Sequence, residues 1–491
     1  MPALRRTVTS ALAAMRDGTL DSRTLVEECL TRIAADNTHL NAVVTLNARA
    51  ARQAAATVDA SRQRGEPLPL LAGIPITVKD AFATRDLPTA AGYRPLANYQ
   101  PNRDATLVAR LREEGAVLLG KTHLPELAAA PHGWSPLYGL CRNPWQPELT
   151  PGGSSAGSAV AVASGFSLLD LGSDLAGSIR IPAAYCGVLG LKTTEHRLPA
   201  SGHIPPLPGQ PRSVRQLLSL GLLGRSVADL HLGLTVLDGQ YLEAPEVPPL
   251  PPLTPLPPLP LPGTSPLRLA FWDVSAELPL CPRTRQAMTA LLARLRQAGH
   301  TVDCLPSPGF TLEESWQAFG VLAGHALAPG LPGWQRTALR LGRPLLQRNE
   351  GLARAFASGI AASSHRLHRA WTAREAQQLA VESCCQEYDA LLCPVASTAP
   401  YPAQALSPLA LPPPLTVAGR RLPYLEATIG LTVPFSLTGH PVVVLPAGIT
   451  DGLPVGFQVV GPRWREDRLL AVAARLEAAG CHFIPPPGRA A

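Results

Sequence analysis

The feature of this sequence that most restricts its fold is a glycine- and serine-rich run, PGGSSAGS at residues 151–158, which leads into small apolar residues. Residues 156–163 are small and apolar on every side, which predicts a helix buried among close neighbours. Such a helix begins beside the serines. Ser154 and a second serine 24 residues later, Ser178, are therefore candidates for covalent chemistry.

Patterned segments on either side of this run predict an α/β fold. Apolar runs at 74–78 and 117–119 indicate strands, and the stretch between them, about 104–114, is helical. This alternation favours a sheet with helices on its faces. Near the start of the chain, Ser22 is expected to cap a helix. The C-terminal part predicts a helix at 283–298, a strand at 301–305, mainly helix over 310–385, strands at 441–446 and 455–460, and a helix at 466–479.

Composition excludes several classes of protein. With 46% hydrophobic and 16% charged residues the chain is globular, and no apolar run approaches the ~18 residues of a membrane-spanning helix. The net charge of +7 comes from scattered arginines, so it requires no nucleic-acid partner. Nine cysteines lack metal-ligand spacing, and the N-terminus lacks the pattern of a signal peptide. We expect a soluble cytoplasmic protein without a metal site.

Proline recurs every two or three residues between 244 and 266. This density excludes helix and sheet interior and favours an extended polyproline strap. We interpret it as a linker between an N-terminal half, 1–243, and a C-terminal half, 267–491. The alternative is a recognition tract for proline-binding domains.

Residues 115–122, GAVLLGKT, match the GxxxxGK[ST] pattern of a phosphate-binding loop. That loop requires a strand, then a flexible turn, then a helix that starts at the Lys-Thr pair. Here the four intervening residues themselves have strand character, and Pro125 follows too soon for a regular helix. The sequence therefore disfavours nucleotide binding at this position.

Serine and lysine together offer a nucleophile and a base without histidine. A serine hydroxyl must lose its proton as it attacks, and a lysine accepts that proton only when neutral, which burial favours. Lys79 ends an apolar strand, and Ser154 can pass a proton from Ser178 to Lys79 if it lies between them. Residues 175–177 lead into Ser178 and are suited to present backbone amides to an oxyanion. The alternative is that these serines and glycines mark tight turns.

Longer segments carry a family resemblance. They are residues 150–192, with GSDLAGSIR at 172–180 and PAAYCGV at 182–188, together with 71–80, 120–128 and 437–467, where GFQVVG occupies 456–461. In these segments the chain resembles the amidase signature family. The resemblance implies one large amidase-signature domain over 1–491, with a signature core at 66–200 and a helical lid region at about 310–385. Its fold would be a central mixed β-sheet covered by helices on both faces.

The resemblance also implies roles for individual residues. The family's nucleophile falls on Ser178, its cis-peptide bridging serine on Ser154 and its base on Lys79. Its oxyanion hole falls on the amides of Leu175, Ala176, Gly177 and Ser178, with Ser155, Asp174 and Arg180 in supporting positions. No metal or other cofactor is required. Three positions depart from the family pattern: Ala156, Ser173 and Ala176, of which Ala156 and Ala176 stand where glycine is frequent or usual.

These roles predict an amidase that hydrolyses a small-molecule amide, and also esters or carbamates, through a seryl acyl-enzyme. A homodimer is one candidate assembly. The alternative is the amidase-like subunit of a tRNA-dependent amidotransferase, which produces ammonia from glutamine with partner chains. That subgroup usually continues with KPTYGR where this chain has KTTEHR at 192–197. A non-enzymatic scaffold that uses the proline tract is the third class.

Aromatic and histidine side chains are the candidates for a substrate pocket. Each of them is also explained by core or lid packing, and the histidines by a polar filling role. The set is His123, His132, Trp134, Tyr138, Trp316, Phe319 and Trp334.

Overall fold

A mixed sheet of eleven strands organises the part of the chain that the structure, a computed structural model, describes: residues 6–210, 212–256, 265–330, 337, 351–405 and 412–487. Two further pairs of short strands, β4–β5 and β12–β13, stand apart from it. In chain order the strands are β1 (Val43–Leu46), β2 (Pro75–Lys79), β3 (Val117–Thr122), β4 (Trp134–Ser135), β5 (Gly139–Leu140), β6 (Leu169–Asp174), β7 (Leu189–Lys192), β8 (Ser219–Gly224), β9 (Arg268–Trp272), β10 (Thr301–Leu305), β11 (Ala390–Pro394), β12 (Leu415–Val417), β13 (Arg420–Leu422), β14 (Val442–Thr450) and β15 (Leu453–Val460).

The strand order across the main sheet is β1-β3-β2-β6-β8-β7-β14-β15-β11-β9-β10. β2 runs parallel to β3 on one side and to β6 on the other, with Val78 paired to Leu171. β7 and β14 pair antiparallel, which joins strands from before and after the proline-rich segment in one sheet. The predicted α/β fold with a mixed central sheet is confirmed. The division into domains and halves stays a prediction.

Fourteen α-helices flank these strands in the described residues. None of them is both long and apolar enough to cross a membrane. They are α1 (Val8–Arg16), α2 (Ser22–Leu40), α3 (Ala48–Gln63), α4 (Thr106–Glu113), α5 (Ala156–Ser164), α6 (Arg180–Cys186), α7 (Val227–Leu237), α8 (Pro282–Gln297), α9 (Leu312–Leu327), α10 (Leu352–Gly359), α11 (Ser364–Glu387), α12 (Tyr424–Ile429), α13 (Val433–Leu437) and α14 (Glu466–Ala478).

Helix α5 is the small-residue helix predicted from the sequence, and every one of its residues is buried. Its neighbours approach so closely that a Cβ atom on Gly157 would lie 2.2 Å from the backbone nitrogen of His123. The helix ends at Gly165 in the left-handed conformation (φ 76°), which glycine adopts without steric cost. The small side chains therefore allow a helix to lie at the centre of the molecule.

Two local predictions differ from the structure. Asp21, not Ser22, caps helix α2, because Asp21 is the last extended residue and its carboxylate accepts the amide of Thr24. Ser22 instead donates its hydroxyl to the carbonyl of Gly73, 2.9 Å away. In the GAVLLGKT segment, Gly120, Lys121 and Thr122 all belong to strand β3, so no phosphate-binding turn exists there.

The proline-rich segment is described up to residue 256 and from 265, so part of the predicted linker lies outside the described residues. Its leucines at 250, 253 and 256 are partly buried, whereas Pro249, Pro251, Pro252 and Pro255 are exposed. A spacing of three matches the repeat of a polyproline helix, which turns one face toward the body of the protein.

Helices α9 and α10 cross at van der Waals distance through glycines. A Cβ atom on Gly324 would lie 2.1 Å from the carbonyl oxygen of Phe356, and one on Gly359 would lie 2.2 Å from that of Val321. Backbone atoms cannot give way as a flexible side chain can. The absence of side chains at these positions therefore sets how closely the two helices pack.

Replacing Gly324 with alanine should lower the free energy of unfolding by at least ~1–3 kcal/mol, the usual cost of overpacking. Gly330→Ala is the matched control, because its nearest neighbour, the Ser213 hydroxyl, lies 3.8 Å from an added Cβ. Denaturant unfolding of the two variants measures the difference. Equal stabilities would show that the crossing tolerates a methyl group.

Candidate active site

The site begins where two neighbouring parallel strands end. Lys79 is the last residue of β2, and Ser173 and Asp174 are the last residues of β6. The carboxyl ends of parallel strands meet at one edge of a sheet, so their terminal side chains converge. Lys79 is fully buried there, as is Ser154, which comes from the loop before α5.

Three oxygen atoms surround the Lys79 amine. Its Nζ lies 2.7 Å from Ser154 Oγ, 3.0 Å from Ser173 Oγ and 3.3 Å from the Ser173 carbonyl oxygen. The structure therefore brings two of the three predicted triad members, Lys79 and Ser154, into hydrogen-bond contact. It adds Ser173, whose side chain the sequence analysis treated only as a departure from the family pattern.

Burial lowers the pKa of Lys79 to about 7, although the carboxylates of Asp174 and Asp170 oppose this. Burial also raises the pKa of Asp170 to about 6, against hydrogen bonds from Thr77 and other hydroxyls. A lysine with a pKa near neutrality exists in appreciable amounts as the free amine, which has a lone pair to accept a proton.

The loop that carries Ser154 is held tightly. Its Gly153–Ser154 peptide bond is cis, and a Cβ atom on Gly153 would lie 2.3 Å from the carbonyl oxygen of His132. The amide of the next residue, Ser155, donates to the carbonyl of Ser178 at 3.0 Å. The main chain of Ser178 thus lies directly beside the Ser154 loop.

Ser178 is more accessible than Lys79 and Ser154. It is half-buried, as are Leu175 and Ala176, so this side of the site faces outward. Within the described residues the Ser178 hydroxyl makes no hydrogen bond, and the link from Ser154 to Ser178 is not closed. Catalytic hydrogen bonds commonly tighten only when substrate binds.

The predicted oxyanion amides fall into two groups. The N–H of Gly177 donates to Asp174 Oδ1 at 2.7 Å and is therefore occupied. The N–H groups of Leu175, Ala176 and Ser178 have no acceptor among the residues that the structure describes. Gly177 has φ +117°, whereas Ala176 has no positive φ, so the alanine in place of glycine costs no backbone strain.

A buried ion pair stands behind this loop. All five N–H donors of Arg180 are used, two of them on the Asp174 carboxylate. The other three go to the Thr432 carbonyl, the Gln458 side-chain oxygen and the Ser436 hydroxyl. Asp174 also accepts the amides of Gly177, Ile179 and Arg180. Burial alone would raise the pKa of Asp174, but the charge and hydrogen bonds of Arg180 hold it well below its usual value.

Sequence reasoning missed the residues that complete these networks from far along the chain. Ser173 holds the lysine, and Thr432, Ser436 and Gln458 hold the arginine. The one available signal was Gln458, which lies within the GFQVVG segment noted for its family resemblance. Ser155 Oγ, a predicted supporting group, lies 3.4 Å from the Ser173 carbonyl oxygen.

The remaining candidates are bound into the protein interior. Burial lowers the pKa of His123 and of His132 to about 4, and Tyr138 donates its hydroxyl to Asp80 at 2.6 Å. Trp316 is buried and donates its indole N–H to Gly430, and Phe319 is also buried. Trp134 is half-buried and its amide donates to the ring of His132; Trp334 lies outside the described residues.

Lys121, the lysine of the GAVLLGKT segment, has a structural role. Its Nζ lies 3.2 Å from Asp80 Oδ1 with both side chains buried, and it donates to the Phe82 carbonyl at 2.7 Å and to Thr89 Oγ1 at 2.9 Å. Among the residues described here, no cluster of three or more His, Cys, Asp or Glu side chains is arranged to hold a metal ion.

Comparison with known proteins identifies relatives over nearly the whole chain. The family model described as Amidase matches residues 24–470. A curated relative from Chloroflexus aurantiacus, the amidase-type chain of a glutamyl-tRNA(Gln) amidotransferase, is 34% identical over 487 residues, which cover 95% of each protein.

Solved structures of similar proteins have the same overall fold. A structure described as an amidase is 32% identical, with a TM-score of 0.78, and covers 96% of this chain and 99% of its own. A chain from a complex described as vestigial, in a study on the origins of an s-triazine catabolic enzyme, is 29% identical with a TM-score of 0.80. That match covers 97% of this chain and 99% of the other.

Proposed function

The chain belongs to the Amidase family of enzymes, which cleave amide carbon–nitrogen bonds, and from the geometry of its site we propose that it does so through an acyl-enzyme on Ser178. The observation that carries the proposal is the 2.7 Å contact between Ser154 and the amine of a fully buried lysine, Lys79. Membership of an enzyme family excludes the non-enzymatic scaffold.

The surroundings of Lys79 suit a neutral amine. A neutral amine has two N–H groups and one lone pair, and two of the three neighbouring oxygen atoms belong to Ser173. With both N–H groups directed at Ser173, the lone pair faces Ser154 Oγ at the shortest of the three distances. Lys79 can then accept the Ser154 proton, while Ser154 accepts a proton from Ser178.

The reaction proceeds in two halves. Ser178 Oγ attacks the carbonyl carbon of the amide, and its proton passes through Ser154 to Lys79. The tetrahedral intermediate then collapses, the carbon–nitrogen bond breaks, and the nitrogen leaves with the proton returned from Lys79. Water attacks the resulting ester with the help of the same relay, which releases the acid and restores Ser178.

Backbone amides stabilise the negative charge that develops on the carbonyl oxygen. We assign this role to the N–H groups of Leu175, Ala176 and Ser178, since that of Gly177 is bound to Asp174. Each such donor is typically worth ~2.7–4 kcal/mol in the transition state. Asp174, Arg180 and Ser155 hold the loop in place and do not contact the reacting atoms.

For the substrate, we propose the side-chain amide of glutamine, cleaved within an amidotransferase that passes the ammonia on. Similarity over 95% of the chain to the glutamyl-tRNA(Gln) amidotransferase protein of Chloroflexus aurantiacus supports this more than it supports a small-molecule amidase. In this case the chain works with partner subunits and a tRNA-linked substrate that they hold.

A free-standing amidase is the second candidate, because the chain departs from the amidotransferase pattern at 192–197. His196 has φ +68° at the position where that subgroup usually has glycine. Glu195, in place of tyrosine, is buried and pairs with Arg374 of α11, and Arg197 pairs with Glu466 at 2.6 Å. The turn keeps its left-handed backbone but has exchanged an aromatic side chain for a buried ion pair.

Replacing Ser178 with alanine should lower the rate of amide cleavage at least ~1000-fold, because the nucleophile is lost. Lys79→Met and Ser154→Ala should cause losses of similar order, since the three residues act as a unit. Ser164→Ala is the matched control: this serine is buried at the end of α5, and its hydroxyl has no partner in the described part of the chain. Steady-state ammonia or amine release measures each rate, and full turnover by Ser178→Ala would overturn the mechanism.

Activity should fall tenfold per pH unit below about 7, because Lys79, whose pKa burial lowers to about 7, must be neutral to act as the base. Above that pH, kcat/KM should level off. Asp170→Asn removes a negative charge that favours protonated Lys79, so it should move the acid limb to lower pH. A profile of kcat/KM that is flat between pH 5 and 9 would contradict the assignment of Lys79.

The tagged chain, isolated under mild conditions from cells that produce it, should retain partner subunits and release ammonia from glutamine faster than from simple aliphatic or aryl amides. Ser178→Ala should retain the same partners without ammonia release, which separates assembly from chemistry. A chain that copurifies with no partner and hydrolyses the simple amides in preference to glutamine would instead identify the free-standing amidase.

A further inference from the structure

We propose that Thr432, 254 residues after the nucleophile, is a positioning residue that fixes the peptide unit between Ala176 and Gly177 and thereby aims the oxyanion amides on either side of it. This inference rests on the proposed function of Ser178. It assigns a role in the reaction to a side chain that has no place in the Ser178–Ser154–Lys79 relay.

Both ends of this peptide unit are held by hydrogen bonds. The Thr432 hydroxyl donates to the Ala176 carbonyl oxygen at 2.6 Å, and the Gly177 N–H donates to Asp174 Oδ1 at 2.7 Å. The C=O and N–H of a trans peptide point in opposite directions, so two partners on opposite sides fix the orientation of its plane. Rotation of the plane would break both bonds together.

The orientation of this plane decides where its neighbours point. The preceding peptide unit carries the N–H of Ala176 and the following one carries the N–H of Ser178. Neither N–H has an acceptor among the described residues, and both flank the nucleophile. A displacement of the 176–177 unit would therefore turn both donors away from the developing oxyanion, where a shift of ~1 Å commonly costs ~100-fold in rate.

The contact between Thr432 and the loop is close enough to be specific. A Cβ atom on Gly177 would lie 2.5 Å from Thr432 Oγ1, so the glycine is required by this side chain as well as by its φ of +117°. The hydroxyl has a single proton and a second acceptor within reach, the Ile429 carbonyl at 2.9 Å. The shorter distance favours the bond to Ala176.

Thr432 is itself held by the ion pair behind the loop. Its carbonyl oxygen accepts Arg180 Nη1 at 2.8 Å, and the same nitrogen donates to Gln458 Oε1. The Gln458 amide nitrogen donates to the Leu431 carbonyl, next to Thr432, at 3.0 Å. The C-terminal segment around Thr432 and the loop around Ser178 are thus positioned by one connected set of bonds.

The test compares Thr432→Val, which keeps the shape and removes the hydroxyl, with Thr432→Ser, which keeps the hydroxyl. Thr438→Val is the control, because Thr438 is also buried and donates to a backbone carbonyl, that of Pro434 at 3.0 Å, without contact to the loop. For each variant, kcat and KM on the best amide are measured, with the inhibition constant of a trifluoromethyl ketone analogue that forms a tetrahedral adduct with serine.

Thr432→Val should lower kcat about 10- to 100-fold with little change in KM, and weaken the ketone by a similar factor. The acid limb of the pH profile should not move, because Lys79 is untouched. Thr432→Ser should recover most of the rate, and Thr438→Val should behave like the parent in kcat at comparable thermal stability.

Wild-type kcat and ketone affinity in Thr432→Val would overturn the proposal, as would an equal loss in Thr438→Val, which would indicate a general loss of packing. Ser178→Ala is measured in parallel. If that variant is inactive and Thr432→Val is unimpaired, only the positioning role fails; if Ser178→Ala is active, the proposed function itself fails.

Discussion

The buried pair of Asp174 and Arg180 is the interaction on which the rest of the site depends. Two charges taken out of water are costly unless every donor and acceptor is paired, and here each of the five guanidinium N–H groups has an acceptor. Because Asp174 also binds three amides of the 177–180 segment, the same pair shapes the loop that carries Ser178. Because Arg180 reaches Thr432 and Gln458, it ties that loop to the C-terminal strands and helices.

Burial gives the lysines of this sheet different properties according to their partners. Lys121, on β3, faces the carboxylate of Asp80 and two further oxygen atoms, which suits a structural ion pair. Lys79, on the adjacent β2, has no carboxylate in contact and only serine oxygens around it, so its pKa falls to about 7. At the same edge of the sheet Asp174 stays ionised because Arg180 is beside it. Neighbouring groups whose environments move their pKa values apart are characteristic of acid–base sites.

The comparison of sequence and structure separates local from distant information. The small-residue pattern of 156–163 predicted a buried helix correctly, because the size of a side chain constrains its own neighbourhood. The GAVLLGKT pattern was rightly rejected as a phosphate loop, because its strand character and Pro125 are local features. The cap at Asp21 was missed by one residue, since a serine and an aspartate in succession satisfy the same rule. The roles of Ser173, Thr432 and Ser436 were not predictable, because their partners lie elsewhere in the chain or on another strand.

The sequence by itself determined the fold class, the family and the residue types of the proposed chemistry: two serines, a lysine and a glycine-containing loop. These follow from periodicity and motif, which are read along the chain. Only the tertiary structure decided that Lys79 meets Ser154 at 2.7 Å in a dry environment, and that the Gly177 amide is bound to Asp174 while its neighbours have no acceptor among the described residues. Such properties depend on what surrounds a group in space, because desolvation and hydrogen-bond geometry are set by atoms that the order of residues does not place side by side.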